Sequence, residues 1–300
     1  MAAWIDGYQK FHPKVQVTYR AIGSGGGIAE YRKGWLGFAA SDAPLSDDEI
    51  KEMPATVQVP AAAGPVCLIY NLPNLERPLR LSPKTVAGIY LGHIISWQDA
   101  EITGDNPGAR LPKAPVIVVH RSDGGGTTSV LTTYLSKTDP EWSAKPGHGL
   151  SVNWPVGLGA DGSKGVLDLV RQTPGTIGYL ELSYAKGSGV AAAAIRNQAG
   201  EFVAPTPEAA AAAIAAFGGD LEKDVRTPIV DPPATAKKAY PISGFTFLLI
   251  RKGGAVKEEE LAVRDFAAYA ISTGQELAER LSYARLPSQV QQKAQGLLAQ

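Results

Sequence analysis

The stretch Arg121-Ser122-Asp123-Gly124-Gly125-Gly126-Thr127-Thr128-Ser129 constrains the fold more than any other. The apolar run Val116-Ile117-Val118-Val119 before it has the composition of a buried strand. Val130, Leu131, Tyr134 and Leu135 after it recur as one face of a helix. A strand, a glycine turn and a helix start gather free backbone N–H groups around one point, and the helix dipole adds partial positive charge there. Arg121, at the strand end, supplies a full charge on a planar fork of donors. Together these parts make a socket for a small oxyanion.

A second segment follows the same logic. Val15, Val17 and Tyr19 alternate with polar residues and predict a half-buried strand over 15–19. Gly23-Ser24-Gly25-Gly26-Gly27 then leads into a helix from Ile28. One such turn is a common connector, but two in one chain, both with a hydroxyl and one with an arginine, point to an anion site. The second loop lacks the Lys that ends a nucleotide-binding P-loop. The first approaches a dinucleotide fingerprint, with Asp42 about 20 residues on. Spacing leaves that reading open, but it gives the second loop no role.

Lys+Arg and Asp+Glu number 29 each among 300 residues, so the formal net charge is zero. A nucleic-acid binder would show a basic excess, so an anion here is held by local donors. Hydrophobic content of 44% supports cores for two domains, and 33 Gly with 22 Pro suit a loop-rich α/β protein. No run reaches the roughly 18 apolar residues of a membrane helix. The start Met1-Ala2-Ala3-Trp4 carries no signal peptide. Cys67, the lone cysteine, lies among apolar neighbours and reads as an inert core thiol.

Helices are expected over 4–12 (Trp4, Ile5 and Tyr8 on one face), after the Ser46–Glu49 capping box, after Ser82-Pro83, within 209–213, and around Leu261, Phe266 and Tyr269. Strands are expected at 57–60, 66–70, 116–119, 177–180 and 245–250, with a short one at Phe38. Strands alternating with helices give an α/β fold.

Arg121 and Asp123, two apart on an extended segment, share a side, so Asp123 can orient the guanidinium. Alone, such a pair is a surface ion pair worth under about 1 kcal/mol; the glycine loop after it favours a role in the site. Thr127 and Ser24 offer hydroxyls, and Gly25 and Gly126 sit in the loops. Asp42 fits a turn before Ala43-Pro44. It also fits an acceptor-only group that admits a protonated anion and repels a fully ionised one. His12, His93, His120 and His148 have no metal-ligand spacing, and no G-x-S-x-G elbow occurs. No metal, no cofactor and no catalysis are expected.

Taken together, the stretches Ile22–Ile28, Phe38-Ala39-Ala40-Ser41-Asp42-Ala43-Pro44-Leu45-Ser46-Asp47, Arg121–Thr127, Asn153–Gly159, Pro174–Tyr179 and Tyr240-Pro241-Ile242 resemble the phosphate-binding proteins of bacterial high-affinity phosphate ABC importers, over nearly the whole chain. The resemblance implies a type II periplasmic binding protein fold: two α/β lobes joined by a two-strand hinge, crossed near Asn71 and again near Tyr240. Lobe I would be 1–71 with 241–300, and lobe II 72–240. It implies phosphate ligands at Ser24, Asp42, Arg121, Gly126 and Thr127, with Asp123 as the arginine's partner. Gly125 stands where the family carries a serine, so one hydroxyl is lost while a backbone N–H is expected to remain. The family's first strand and first ligand loop have no counterpart, which reads as an N-terminal truncation of an exported precursor. A periplasmic or cell-surface monomer that delivers phosphate to permease subunits is the implied role. Another tetrahedral oxyanion such as sulfate, or a phosphoryl-group hydrolase, are the alternatives.

Overall fold

Residues Thr56–Tyr70 form one strand of 15 residues. The computed structural model, which describes residues 1–252 and 258–299, places this strand at the centre of a mixed α/β fold of two lobes. Its first part pairs antiparallel with Ser243–Arg251 up to Pro65, and its last five residues pair with Thr176–Glu181. The partner thus changes between Pro65 and Val66, ahead of Asn71. The returning chain runs alongside, with the Val66 N–H donating to the Ile242 carbonyl at 2.8 Å.

The sequence pattern gives two strands here, 57–60 and 66–70, because Ala61-Ala62-Ala63-Gly64-Pro65 has weak strand propensity. Burial on both faces overrides that preference. Val59, Ala61, Ala63, Leu68 and Ile69 are fully enclosed, and each large aliphatic side chain so buried contributes about 1.5–3 kcal/mol. The ladder slips beside Pro60, which has no N–H to give: Phe247 pairs with Pro60 and Thr246 with Ala62, so Ala61 is skipped.

The strands order as Phe38–Ser41, Ser243–Arg251, Thr56–Tyr70, Thr176–Glu181, Ile117–Arg121, Leu158–Ala160, and Ala191–Ala192 also pairs with the long strand. Ile117–Arg121 runs parallel to both of its neighbours. One apolar core gathers Val86, Trp97, Leu131, Trp142 and Tyr179; another gathers Trp4, Tyr8, Val59, Leu248 and Phe266. Helices Pro207–Ala216 and Gly218–Lys223 pack through Ile214 and Leu221 against Phe245, Phe247 and Leu286.

Most expected elements form. Ala2–Phe11 is a helix that buries Trp4, Ile5 and Tyr8. The capping box closes at both ends: the Glu49 N–H donates to Ser46 Oγ and the Ser46 N–H to Glu49 Oε2. Ser82 caps Pro83–Leu91. Cys67 is enclosed, and burial pushes its thiol far up. In the helix Glu258–Ile271, Phe266 is buried while Leu261 stays exposed.

Two further expectations fail. Val15 and Val17 are half-buried, but Tyr19 is exposed, and residues 15–19 form no strand. A groove separates segment 18–22 from Phe38–Ser41, the edge of the sheet, so no ladder partner is within reach. The glycines 23–27 are not a turn before the helix either. They are its first turns, since the helix spans Gly23–Arg32. No helix of the described residues is long and apolar enough to cross a membrane.

A candidate anion site between two glycine segments

The parallel strand Ile117–Arg121 delivers Arg121 to its C-terminal end, and the chain turns at once into the helix Gly126–Thr138, with Gly125 as N-cap. The first bond inside that helix is from the Ser129 N–H to the Gly125 carbonyl. The N–H groups of Gly126, Thr127 and Thr128 therefore have no helix partner. Arg121 is 7% exposed. Its Nε donates to Asp123 Oδ1 at 2.9 Å, its Nη2 to Asp123 Oδ2, and its Nη1 to Thr127 Oγ1 at 3.1 Å. Asp123 also accepts the Gly162 N–H at 3.1 Å. Burial by itself raises the Asp123 pKa, but hydrogen bonds and attraction from Arg121 outweigh it and hold the carboxyl below its ordinary value. Burial likewise lowers Arg121, and Asp123 more than reverses it.

On the other glycine segment, Ser24 lies in the first turn of its helix and is buried. Ser24 Oγ accepts the Asp42 N–H at 3.2 Å, which leaves its proton for another acceptor. Asp42 follows the strand Phe38–Ser41 and accepts the Thr246 hydroxyl at 2.7 Å. Burial pushes the Asp42 carboxyl up; the Thr246 hydrogen bond and the Arg121 charge offset part of that rise.

The two segments meet. The Gly25 N–H donates to the Gly124 carbonyl at 2.9 Å. A Cβ on Gly23 would stand 2.7 Å from Asp123 Oδ2 and 3.1 Å from Arg121 Nη2, and Gly23 holds φ +74°, where side chains are disfavoured. A Cβ on Gly126 would collide with Ser24 Oγ and would stand 2.6 Å from Asp42 Oδ2. Ser24, Asp42, Gly126, Thr127 and Arg121 thus surround one point.

That point combines a guanidinium, hydroxyls and unpaired N–H groups with one acceptor-only carboxylate. Such a set holds an oxyanion that still carries a proton. Among the described residues no three His, Cys, Asp or Glu side chains gather as a metal site.

A family model described as the PBP superfamily domain matches residues 1–273. The phosphate-binding protein PstS of Xylella fastidiosa is 40% identical over 273 residues, which is 91% of this chain and 74% of that protein. The chain belongs to the PstS phosphate-binding protein family. The PstS of Methanocaldococcus jannaschii is 37% identical, over 96% of this chain and 79% of its own length. Among solved structures, a phosphate-binding protein from Stenotrophomonas maltophilia has the same fold, with a TM-score of 0.71 at 19% identity over 93% of this chain and 86% of that one.

In this PstS-family chain, one expected donor is already taken. The Gly125 N–H donates to the Leu150 carbonyl at 2.8 Å, so it is not free for an anion. A Cβ at Gly125 would stand 2.6 Å from Arg121 Cζ, so the guanidinium lies against the bare Cα. Gly25 spends its N–H on Gly124, so it supports the loop contact.

Three neighbours of the site had no sequence signal. Thr246 reaches Asp42 only through strand pairing. The Gly162 N–H reaches Asp123 only because Leu158–Ala160 lies beside Ile117–Arg121. Tyr179 accepts the Arg121 N–H at 3.1 Å and shares a hydrogen with Thr128 Oγ1 at 2.6 Å, tying the strand end to the helix start. His120 faces away from the guanidinium and stacks on Trp154 at 4.9 Å.

Proposed function

We propose that this chain binds inorganic phosphate between its lobes and delivers it, chemically unchanged, to the permease subunits of an ABC importer. Ser24, Asp42, Arg121, Gly126 and Thr127 are its ligands, and Asp123 and Gly25 support them. Lobe I is 1–71 with 241–300 and lobe II is 72–240, with helices Pro207–Ala216 and Gly218–Lys223 reaching back onto lobe I. The chain acts outside the cytoplasm as a monomer.

The observation that carries this reading is the Asp42 carboxylate within one site with Ser24, Gly126 and Arg121. Monohydrogen and dihydrogen phosphate bring an O–H for Asp42 to accept, whereas sulfate brings none. A buried acceptor left facing a bare oxyanion costs about 1–3 kcal/mol or more, a factor of roughly ten to a hundred.

Calorimetric titration with phosphate and with sulfate tests this on the native chain and on Asp42→Asn. The native chain is expected to prefer phosphate by at least about tenfold, and the variant to lose most of that preference. Equal selectivity in both proteins would remove Asp42 from the site, and stronger native binding of sulfate would overturn the phosphate assignment.

A further inference from the structure

A second carboxylate, not used above, lies at the hinge, near enough to Asp42 for the two charges to repel. Glu181 ends the strand Thr176–Glu181, opposite Val66, where the long strand changes partners. The Tyr283 hydroxyl donates to Glu181 Oε2 at 2.6 Å. Ser183 Oγ lies 3.5 Å from that oxygen and 3.3 Å from the Tyr283 hydroxyl. Tyr283 belongs to the C-terminal segment: Ala284 bridges to Ala63, and the Tyr283 ring covers Gly64, where a Cβ would stand 3.3 Å from Cδ1. The hydrogen bond therefore crosses from one lobe to the other at the hinge. Among the described residues no Lys or Arg makes an ion pair with Glu181.

We propose that Glu181 is a second working carboxylate of the anion cleft: through Tyr283 it clasps the two lobes, and it takes up a proton from solvent as the anion enters. This rests on the phosphate reading above.

The charged and titratable groups around Glu181 are Asp42, the α-amino group of Met1, Cys67, Tyr19, Tyr184 and Tyr283. Burial first, then the Asp42 charge, push Glu181 up to about 7; Tyr283, the Met1 amine and Ser183 offset only part of that rise. Burial first, then the Glu181 and Asp42 charges, push the Tyr184 hydroxyl up, and Arg121 offsets part of that rise. An arriving anion adds negative charge beside Asp42 and favours the protonated form of Glu181 further. By linkage, affinity must then fall as pH rises above about 7, and be insensitive to Glu181 well below it.

Phosphate titrates in the same range, so the measurement is a difference between two proteins. Calorimetry with inorganic phosphate at pH 7.5, in buffers of low and high ionisation enthalpy, gives the protons taken up by the native chain and by Glu181→Gln. The native chain is expected to take up about half a proton more. Half a proton over about one pH unit is a factor of about three, so the native dissociation constant, relative to that of the variant, rises about threefold from pH 7 to 8. Equal uptake and parallel pH profiles would overturn the role of Glu181 and leave the phosphate reading intact. Absence of phosphate binding by the folded native chain would reject that reading and this one with it. Tyr283→Phe removes the clasp and keeps the carboxylate. It is expected to weaken phosphate binding about fivefold and to move proton uptake to higher pH, since the Tyr283 bond lowers the Glu181 pKa. If neither quantity changes in Tyr283→Phe, the clasp is rejected.

Discussion

Arg121 brings a full charge to a nearly closed wall, and Asp123 occupies one edge of its guanidinium. This edge is spent on orientation, which leaves Nη1, beside Thr127, as the donor turned towards the helix start. Removing the holder should therefore misplace the donor as well as leave a buried charge unmatched. Asp123→Asn is expected to lose about 2 kcal/mol of stability at neutral pH in urea unfolding. Because the folded pKa of Asp123 is depressed, its contribution is present above the ordinary carboxylate value of about 3.9. It is lost as pH falls through the lower folded value. The gap between native and variant should thus close in acid; a gap that persists unchanged would show that Asp123 acts through packing. The Arg121–Asp123 pair was legible in the sequence because period-two geometry acts over two residues. The Gly125 N–H was misread, because its acceptor, Leu150, lies in a loop that no local pattern ties to it.

At the scale of elements, the caps and the amphipathic faces were legible, since they depend on neighbours three or four residues away. Ser46 Oγ and Glu49 Oε2 each satisfy an orphan N–H at the start of Asp47–Glu52, on the exposed surface. Ser46→Ala is expected to cost about 1 kcal/mol in urea unfolding without altering phosphate affinity. A change in affinity would mean that this helix end bears on the cleft. What local pattern could not give is pairing. Segment 15–19 alternates as a strand should, yet Val15 and Val17 rest against a core with no ladder beside them. Conversely, Ala61-Ala62-Ala63-Gly64-Pro65 looks like a break between strands and is instead the middle of a 15-residue one, because Ser243–Arg251 pairs along it as far as Pro65 and a bridge from Ala63 to Ala284 holds its other side.

At the scale of the whole molecule, one strand carries the chain from one lobe into the other, and two hydrogen bonds join the lobes near the site, beside the packing of Pro207–Ala216 and Gly218–Lys223. The Gly25–Gly124 hydrogen bond lies at the mouth of the site, and the Tyr283–Glu181 bond lies at the hinge. Between them, Ser24 and Asp42 face Gly126, Thr127 and Arg121. The two-lobed fold was legible through resemblance across the chain, whereas the role of Glu181 was not, since a lone acidic residue closing an apolar strand gives no local signal. The account stands on a single shared binding point built by both lobes. A crystal structure of the chain grown with phosphate tests it most directly. The predicted result is one tetrahedral anion within hydrogen-bond distance of Ser24 Oγ and the Gly126 and Thr127 N–H groups together, with Arg121 Nη1 donating and Asp42 accepting from the anion. Phosphate held by one lobe alone, or bound at another surface with Ser24 and Arg121 apart, would contradict it.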